Sequence, residues 1–179
     1  MSLFTATLSA GLFLALLGTA LLSGNRAVDA LLKSFPRSQT ATYLLFGSAS
    51  LWFLHEIWTL SPADFGDYHV LLFFFFGAVA ALAFYYVPDF LAVRGLAGLI
   101  LLAAWPFLQS AYMLYQYEQR LFLVSFVYLL IFLSLWLGAQ PFRMRDFIEW
   151  MQRRPARGRT VGGLLAAYGV LLCVVAFTY

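Results

Sequence analysis

Charged residues are scarce in this chain. They make up 11% of its 179 residues, whereas hydrophobic residues make up 63% and the mean hydropathy is +0.84. A soluble domain of this length needs more polar surface than that to enclose a hydrophobic core. The composition therefore argues against a soluble globular protein and predicts a membrane protein.

Cysteine is nearly absent too. The single cysteine, Cys173, excludes both an intrachain disulfide and a cysteine metal cluster. The first apolar run also lacks a preceding Lys or Arg, whereas Arg26 follows it. This is the reverse of the charge order of a secretory signal, so we expect the run to be a retained first membrane span.

The sequence also lacks the common motifs of catalysis. It contains no HExxH or CxxCH sequence, no glycine-rich phosphate loop and no helical i, i+4 pair of metal ligands. We therefore expect no enzymatic activity of its own. Nucleic-acid binding is not expected either, because the basic residues lie within or beside membrane-flanking loops.

Long apolar runs fill most of the chain. About 20 helical residues are needed to cross the hydrocarbon core of a bilayer, and about six runs approach that length. The sequence thus predicts an all-α polytopic bundle, residues 1–179 forming one integral membrane domain. The predicted spans are 3–22, 41–60, 70–87, 95–117, 121–138 and 161–177.

Two shorter segments, 27–35 and 146–154, have apolar residues on one helical side and charges on the other. They are predicted to be amphipathic helices lying in the cytoplasmic interface of the membrane. Stripes of small residues run along the first and last spans and are expected to allow close helix packing. Their members are Gly11, Ala15, Gly18, Gly162, Ala166 and Gly169.

The basic residues are distributed unevenly among the loops. If successive loops alternate between the two sides of the membrane, ten of the eleven Lys and Arg residues share one side and only Arg120 lies on the other. Positive residues concentrate in cytoplasmic loops, so both termini are predicted to lie outside. The short connections favour the cytoplasmic (inner) membrane of a bacterium.

The densest basic segment precedes the last span. It is expected to contact anionic lipid headgroups, and docking of an acidic protein partner is an additional hypothesis. Its arginines are Arg143, Arg145, Arg153, Arg154, Arg157 and Arg159.

Two histidines and three acidic residues gather near the predicted outer side: His55, Glu56, Asp64, Asp67 and His69. Three functions are open to them. His55, Asp67 and His69 could hold a divalent metal, His55 and His69 could be axial haem ligands, or the group could titrate as a proton gate. Their shallow depth favours an interfacial structural role, so we expect no cofactor.

The second half of the fourth predicted span is polar. Pro106 is expected to kink the helix, and Gln109, Ser110 and Tyr112 follow it. With Glu56 they could line a polar cavity, although hydrogen bonds between helices together with an interfacial aromatic belt are the favoured explanation.

These patterns favour a non-catalytic integral subunit or scaffold of a larger membrane complex, with membrane lipids and other membrane subunits as partners. A small solute or ion transporter or channel is the first alternative. A haem- or metal-binding electron-transfer subunit is the second.

Overall fold

The computed structural model describes residues 1–179, and all of its regular secondary structure is helical, with no β-strand. Five helices are long and apolar enough to cross a membrane. They are α1 (Leu3–Leu22), α5 (His69–Tyr86), α6 (Leu91–Ala111), α7 (Arg120–Ala139) and α9 (Pro155–Ala176). The predicted all-helical membrane architecture is confirmed at this level.

Another helical stretch runs without interruption from residue 39 to residue 58. It begins with α3 (Gln39–Ala41), continues as a π-helical segment (Thr42–Phe46) and ends as α4 (Gly47–Trp58). We call these three parts together the π-bulged helix. The remaining helices are short: α2 (Arg26–Ser34) and α8 (Phe142–Gln152).

Helices α1 and α9 pack antiparallel along their whole length. A Cβ atom built on Gly11 would lie 2.8 Å from the carbonyl oxygen of Gly169, and one built on Gly162 would lie 2.8 Å from that of Gly18. Where α1 begins and α9 ends, the ring centroids of Phe4 and Phe177 are 5.5 Å apart. Backbones this close require glycine, so the two predicted small-residue stripes pack against each other.

The hydrophobic core lies among α1, α6, α7 and α9. Its buried members are small residues and leucines rather than aromatic residues, which keeps the helices close together. They are Leu3, Ala6, Ala10, Leu14, Ala104, Ala111, Leu123, Val127 and Leu172.

The π-bulged helix and α5 lie outside this core. A Cβ atom on Gly95 of α6 would lie 2.6 Å from the Cα of Phe46, so the π-helical segment packs directly on α6. Helix α5 then packs on α4 through aromatic pairs, including Phe53–Phe76 with ring centroids 5.2 Å apart. No residue of α5 is buried. It is the most peripheral of the long helices.

The short amphipathic helices lie side by side at one end of the bundle. The side-chain amide of Gln152 donates to the carbonyl of Asp29 at 2.7 Å, which joins α8 to α2. Helix α8 buries Ile148 and Met151, whereas α2 buries nothing and Leu31 is 69% exposed. This arrangement leaves the apolar side of α2 open to its surroundings.

The largest departure from the predicted helix boundaries concerns the fourth run. The predicted span 95–117 extends too far, because α6 begins at Leu91 and ends at Ala111. Tyr112 is extended and Met113 has a φ of 62°, a left-handed conformation that a helix cannot continue through. Residues 112–117 therefore form a connection rather than a final helical turn.

Near the C-terminus, the helices begin earlier than predicted. Helix α8 starts at Phe142 rather than 146, and α9 starts at Pro155 rather than 161. Proline is favoured in the first turn of a helix, since its fixed φ suits the helix and its missing N–H is not needed there. Arg157 and Arg159 consequently belong to the first turns of α9.

Candidate functional site

The arginines predicted to contact lipid lie at the end of the bundle that carries α2 and α8, but they differ in how free they are. Arg145 is paired, with Nη2 2.8 Å from Asp146 and Nε 3.7 Å from Glu149. The hydrogen bond and charge of Asp146 raise the pKa of Arg145. The charge of Arg145 is thus balanced within α8.

Two further arginines lie against aromatic rings. The guanidinium of Arg143 is 5.5 Å from the ring centre of Phe142, and that of Arg157 is 4.8 Å from Trp150. Arg157 also donates to the carbonyl of Trp150 at 3.2 Å. Arginine beside exposed Trp and Phe is typical of segments at the membrane–water interface.

Arg153, Arg154 and Arg159 are exposed, and neither of the ion pairs in the structure involves them. They are the arginines of this segment most available to an external anion. The predicted basic surface therefore divides into a balanced part on α8 and a free part around the start of α9.

The same end of the bundle gathers basic residues from other loops. A small cavity of about 180 Å³ is lined by Lys33, Arg37 and Arg145. The guanidinium of Arg37 also lies 5.7 Å from the ring centre of Phe90, in the connection that precedes α6. Two segments that are distant in sequence, residues 33–37 and α8, thus bring their positive charges to one end of the molecule.

The histidine and carboxylate group lies near the opposite end, where the two chain termini also lie. His55 and Glu56 are exposed on α4, and Trp52 donates its indole N–H to Glu56 at 2.9 Å. The ring of His69 is edge-on to Trp58 with centroids 5.2 Å apart, and its Nδ1 hydrogen-bonds the carbonyl of Gly66. His69 is therefore held as part of the start of α5.

The structure does not bring these residues together as a set of metal ligands. The structure contains no group of three or more His, Cys, Asp and Glu side chains that could hold a metal ion. The predicted set of His55, Asp67 and His69 is therefore not assembled, since His55 is exposed on its helix while His69 packs on Trp58. The haem alternative uses the same two histidines and gains no support from these contacts.

The polar end of α6 does not converge on a cavity either. Ser110 is buried and donates to the carbonyl of Phe107 at 2.6 Å, within its own helix. Gln109 and Tyr112 are exposed. Because α6 ends at Ala111, the side chains of Gln109 and Tyr112 lie at the end of the helix bundle rather than inside it. Glu56 accepts its hydrogen bond from Trp52 instead of from these residues.

Sequence reasoning did not single out Arg94 except as one of the basic residues. In the structure it contributes the only ionisable side chain to a cleft of about 440 Å³ between the π-bulged helix, α5 and α6. The available signal was an arginine inside the first turn of an apolar helix, five residues after the nearest other charge, Asp89.

The fold and its surfaces define a class of protein. The chain has the architecture of a helical membrane protein, with a net positive charge at the end that carries α2 and α8 and a net negative charge at the opposite end. Comparisons of the chain with protein-family models, with curated proteins and with solved structures find no match.

Proposed function

We propose that this chain is a non-catalytic integral subunit or scaffold of a larger membrane complex, crossing the membrane six times. The π-bulged helix would supply the sixth span. Its 39–58 stretch is as long as α1, and about 20 residues are enough to cross the hydrocarbon core.

The basic end would face the cytoplasm and both termini the outside of a bacterial inner membrane. The clustering of Lys33, Arg37 and Arg145 around one cavity supports this orientation, because positive charge is retained on the cytoplasmic side. Arg153, Arg154 and Arg159 would then contact anionic headgroups directly. Each basic residue near such a surface contributes about 1 kcal/mol.

The observation that carries the scaffold proposal is the exposure of α5. None of its residues is buried within the chain, and its outward side chains include Phe74 at 68% and Phe75 at 59% exposure. Aromatic side chains offer a large rigid contact area and are enriched where proteins meet. Helix α5 would thus form the contact with a neighbouring subunit.

The test is native mass spectrometry of the protein extracted from its own membrane in a mild detergent. We expect a heteromeric assembly of fixed stoichiometry, which a Phe74→Ala, Phe75→Ala double variant loses. A matched control, Leu16→Ala with Leu164→Ala, removes side chains that are 69% and 67% exposed on α1 and α9 and should leave the assembly intact. A 20.2 kDa monomer that conducts solute in liposomes would overturn the proposal and favour a transporter.

A further inference from the structure

The cleft between the π-bulged helix, α5 and α6 has the dimensions of a ligand site. Its volume of about 440 Å³ falls within the range of about 300–1,000 Å³ that is usual for small-molecule sites. Phe46, Phe53, Phe76 and Leu101 line it, and Arg94 lies among them as the only charged residue. The cleft is therefore apolar along its length with one positive charge.

Arg94 lacks a partner within the chain. Its Nε atom is buried and makes no hydrogen bond, and the ion pairs of the structure both involve Arg145 instead. The residue as a whole is half-buried, and leaving a buried N–H without an acceptor is costly. The planar guanidinium is suited to two parallel hydrogen bonds with a phosphate or carboxylate. The guanidinium of Arg94 is therefore free to bind an anion from outside the chain.

The cleft also runs in the direction of a lipid chain. Arg94 lies in the first turn of α6, and the lining continues along that helix to Leu102, about 12 Å further at 1.5 Å per residue. Across the cleft, the lining of the other helices runs from Phe46 to Phe53. The charge therefore lies at one end of a groove that follows the helices into the apolar part of the bundle.

The local backbone is arranged to form this groove. Phe46 closes the π-helical segment, a type of helical irregularity that often occurs at functional sites. Gly95 lets that segment approach α6 so closely that a Cβ atom would lie 2.6 Å from the Cα of Phe46. The two features together bring the ring of Phe46 into the same lining as Arg94.

We propose that this cleft binds one molecule of an anionic phospholipid, with its phosphate on the Arg94 guanidinium and an acyl chain against Phe46, Phe53 and Phe76. A headgroup phosphate at helix-end depth and an apolar tail along the helices match the charge and the direction of the groove. The site is independent of any partner subunit on α5, since it lies on the side of α5 that faces the rest of the chain.

The test is native mass spectrometry of the full chain, delipidated in detergent and then titrated with phosphatidylglycerol. The wild type should retain one phosphatidylglycerol per chain, and phosphatidylcholine should bind about tenfold more weakly or worse, a difference of about 1.4 kcal/mol. Arg94→Gln should lose this lipid, whereas Arg26→Gln, which removes an exposed charge at the same end, should keep it.

A second variant keeps the test decisive if Arg94→Gln fails to fold. Gly98→Leu leaves Arg94 in place but fills the groove, and its Cβ would make only an ordinary contact 3.6 Å from that of Ala49. It should also lose the lipid. The proposal is overturned if either folded variant retains phosphatidylglycerol as the wild type does, if phosphatidylcholine binds equally well, or if oleate displaces phosphatidylglycerol at equal concentration.

Discussion

Single arginines in this protein have different roles that follow from their partners. Arg94 is half-buried and has no partner, Arg145 is balanced by Asp146, and Arg153 is exposed. Arg120 is the one basic residue at the end opposite the others, and its contacts explain the exception. Its Nη1 donates to the carbonyl of Ala111 at 2.8 Å, and its guanidinium lies 4.6 Å from the ring centre of Tyr115.

Arg120 therefore stabilises the end of α6, since a cation at a helix C-terminus satisfies a free carbonyl and the helix dipole. Replacing it with Ala should lower the free energy of unfolding by about 1–3 kcal/mol, because a charged hydrogen bond is lost. The free energy of unfolding of Arg120→Lys should lie between those of the wild type and Arg120→Ala, because lysine keeps the charge but cannot stack on the ring as the planar guanidinium does.

Thermal unfolding in detergent measures this effect. Gln119→Ala is the matched control, because Gln119 is exposed and its side chain makes no capping bond to α7. An Arg120→Ala melting temperature equal to that of the Gln119→Ala variant would show that the bond to Ala111 contributes no stability.

Among the elements, the α1–α9 pair is the most constrained and α5 the least. The two helices can approach closely because glycine lies at their contact. Two adjacent glycines on α9, one facing α1 and one not, allow the effect of packing to be measured apart from the effect of helix propensity. A Cβ on Gly162 would lie 2.8 Å from the carbonyl oxygen of Gly18 and 2.9 Å from the Cβ of Leu21, whereas one on Gly163 would lie 3.9 Å from Leu22.

Both substitutions to Ala gain the same helix propensity, about 1 kcal/mol over Gly. Gly163→Ala should therefore be neutral or stabilising. Gly162→Ala should lower the free energy of unfolding by about 1–3 kcal/mol relative to it, because the helices must separate or strain. Denaturation in a mixed detergent measures both. Equal stabilities would mean that α1 and α9 are not packed this closely.

At the scale of the whole molecule, the main feature is the separation of charge between the two ends. If the basic end faces the cytoplasm, the cysteine of a Thr178→Cys variant should react with a membrane-impermeant maleimide in spheroplasts. A cysteine at position 154 should react only after permeabilisation. Thr178 and Arg154 are both exposed, and Cys173→Ala supplies the cysteine-free background.

The reverse labelling pattern would show that the protein has the opposite orientation in the membrane, with the same fold. Labelling of both positions from the same side would instead contradict a single membrane crossing by α9, which lies between Arg154 and Thr178.

Sequence alone determined the helical class and most helix positions, because long apolar runs can satisfy their backbone hydrogen bonds in a membrane only as helices or closed barrels. Helix α1 has the predicted limits, 3–22. The early end of α6 was not predictable from hydropathy, since it depends on the left-handed Met113 and on Arg120 reaching back to Ala111.

Tertiary structure decided which residues meet. Both small-residue stripes could be recognised in the sequence, but only the fold shows that they pack on each other. The outer histidines looked like possible ligands in the sequence, yet each lies in a different local environment. Arg94 was only one basic residue among many until the fold enclosed its Nε beside an apolar cleft. Helix formation depends on local sequence, whereas a binding site depends on the packing of distant segments.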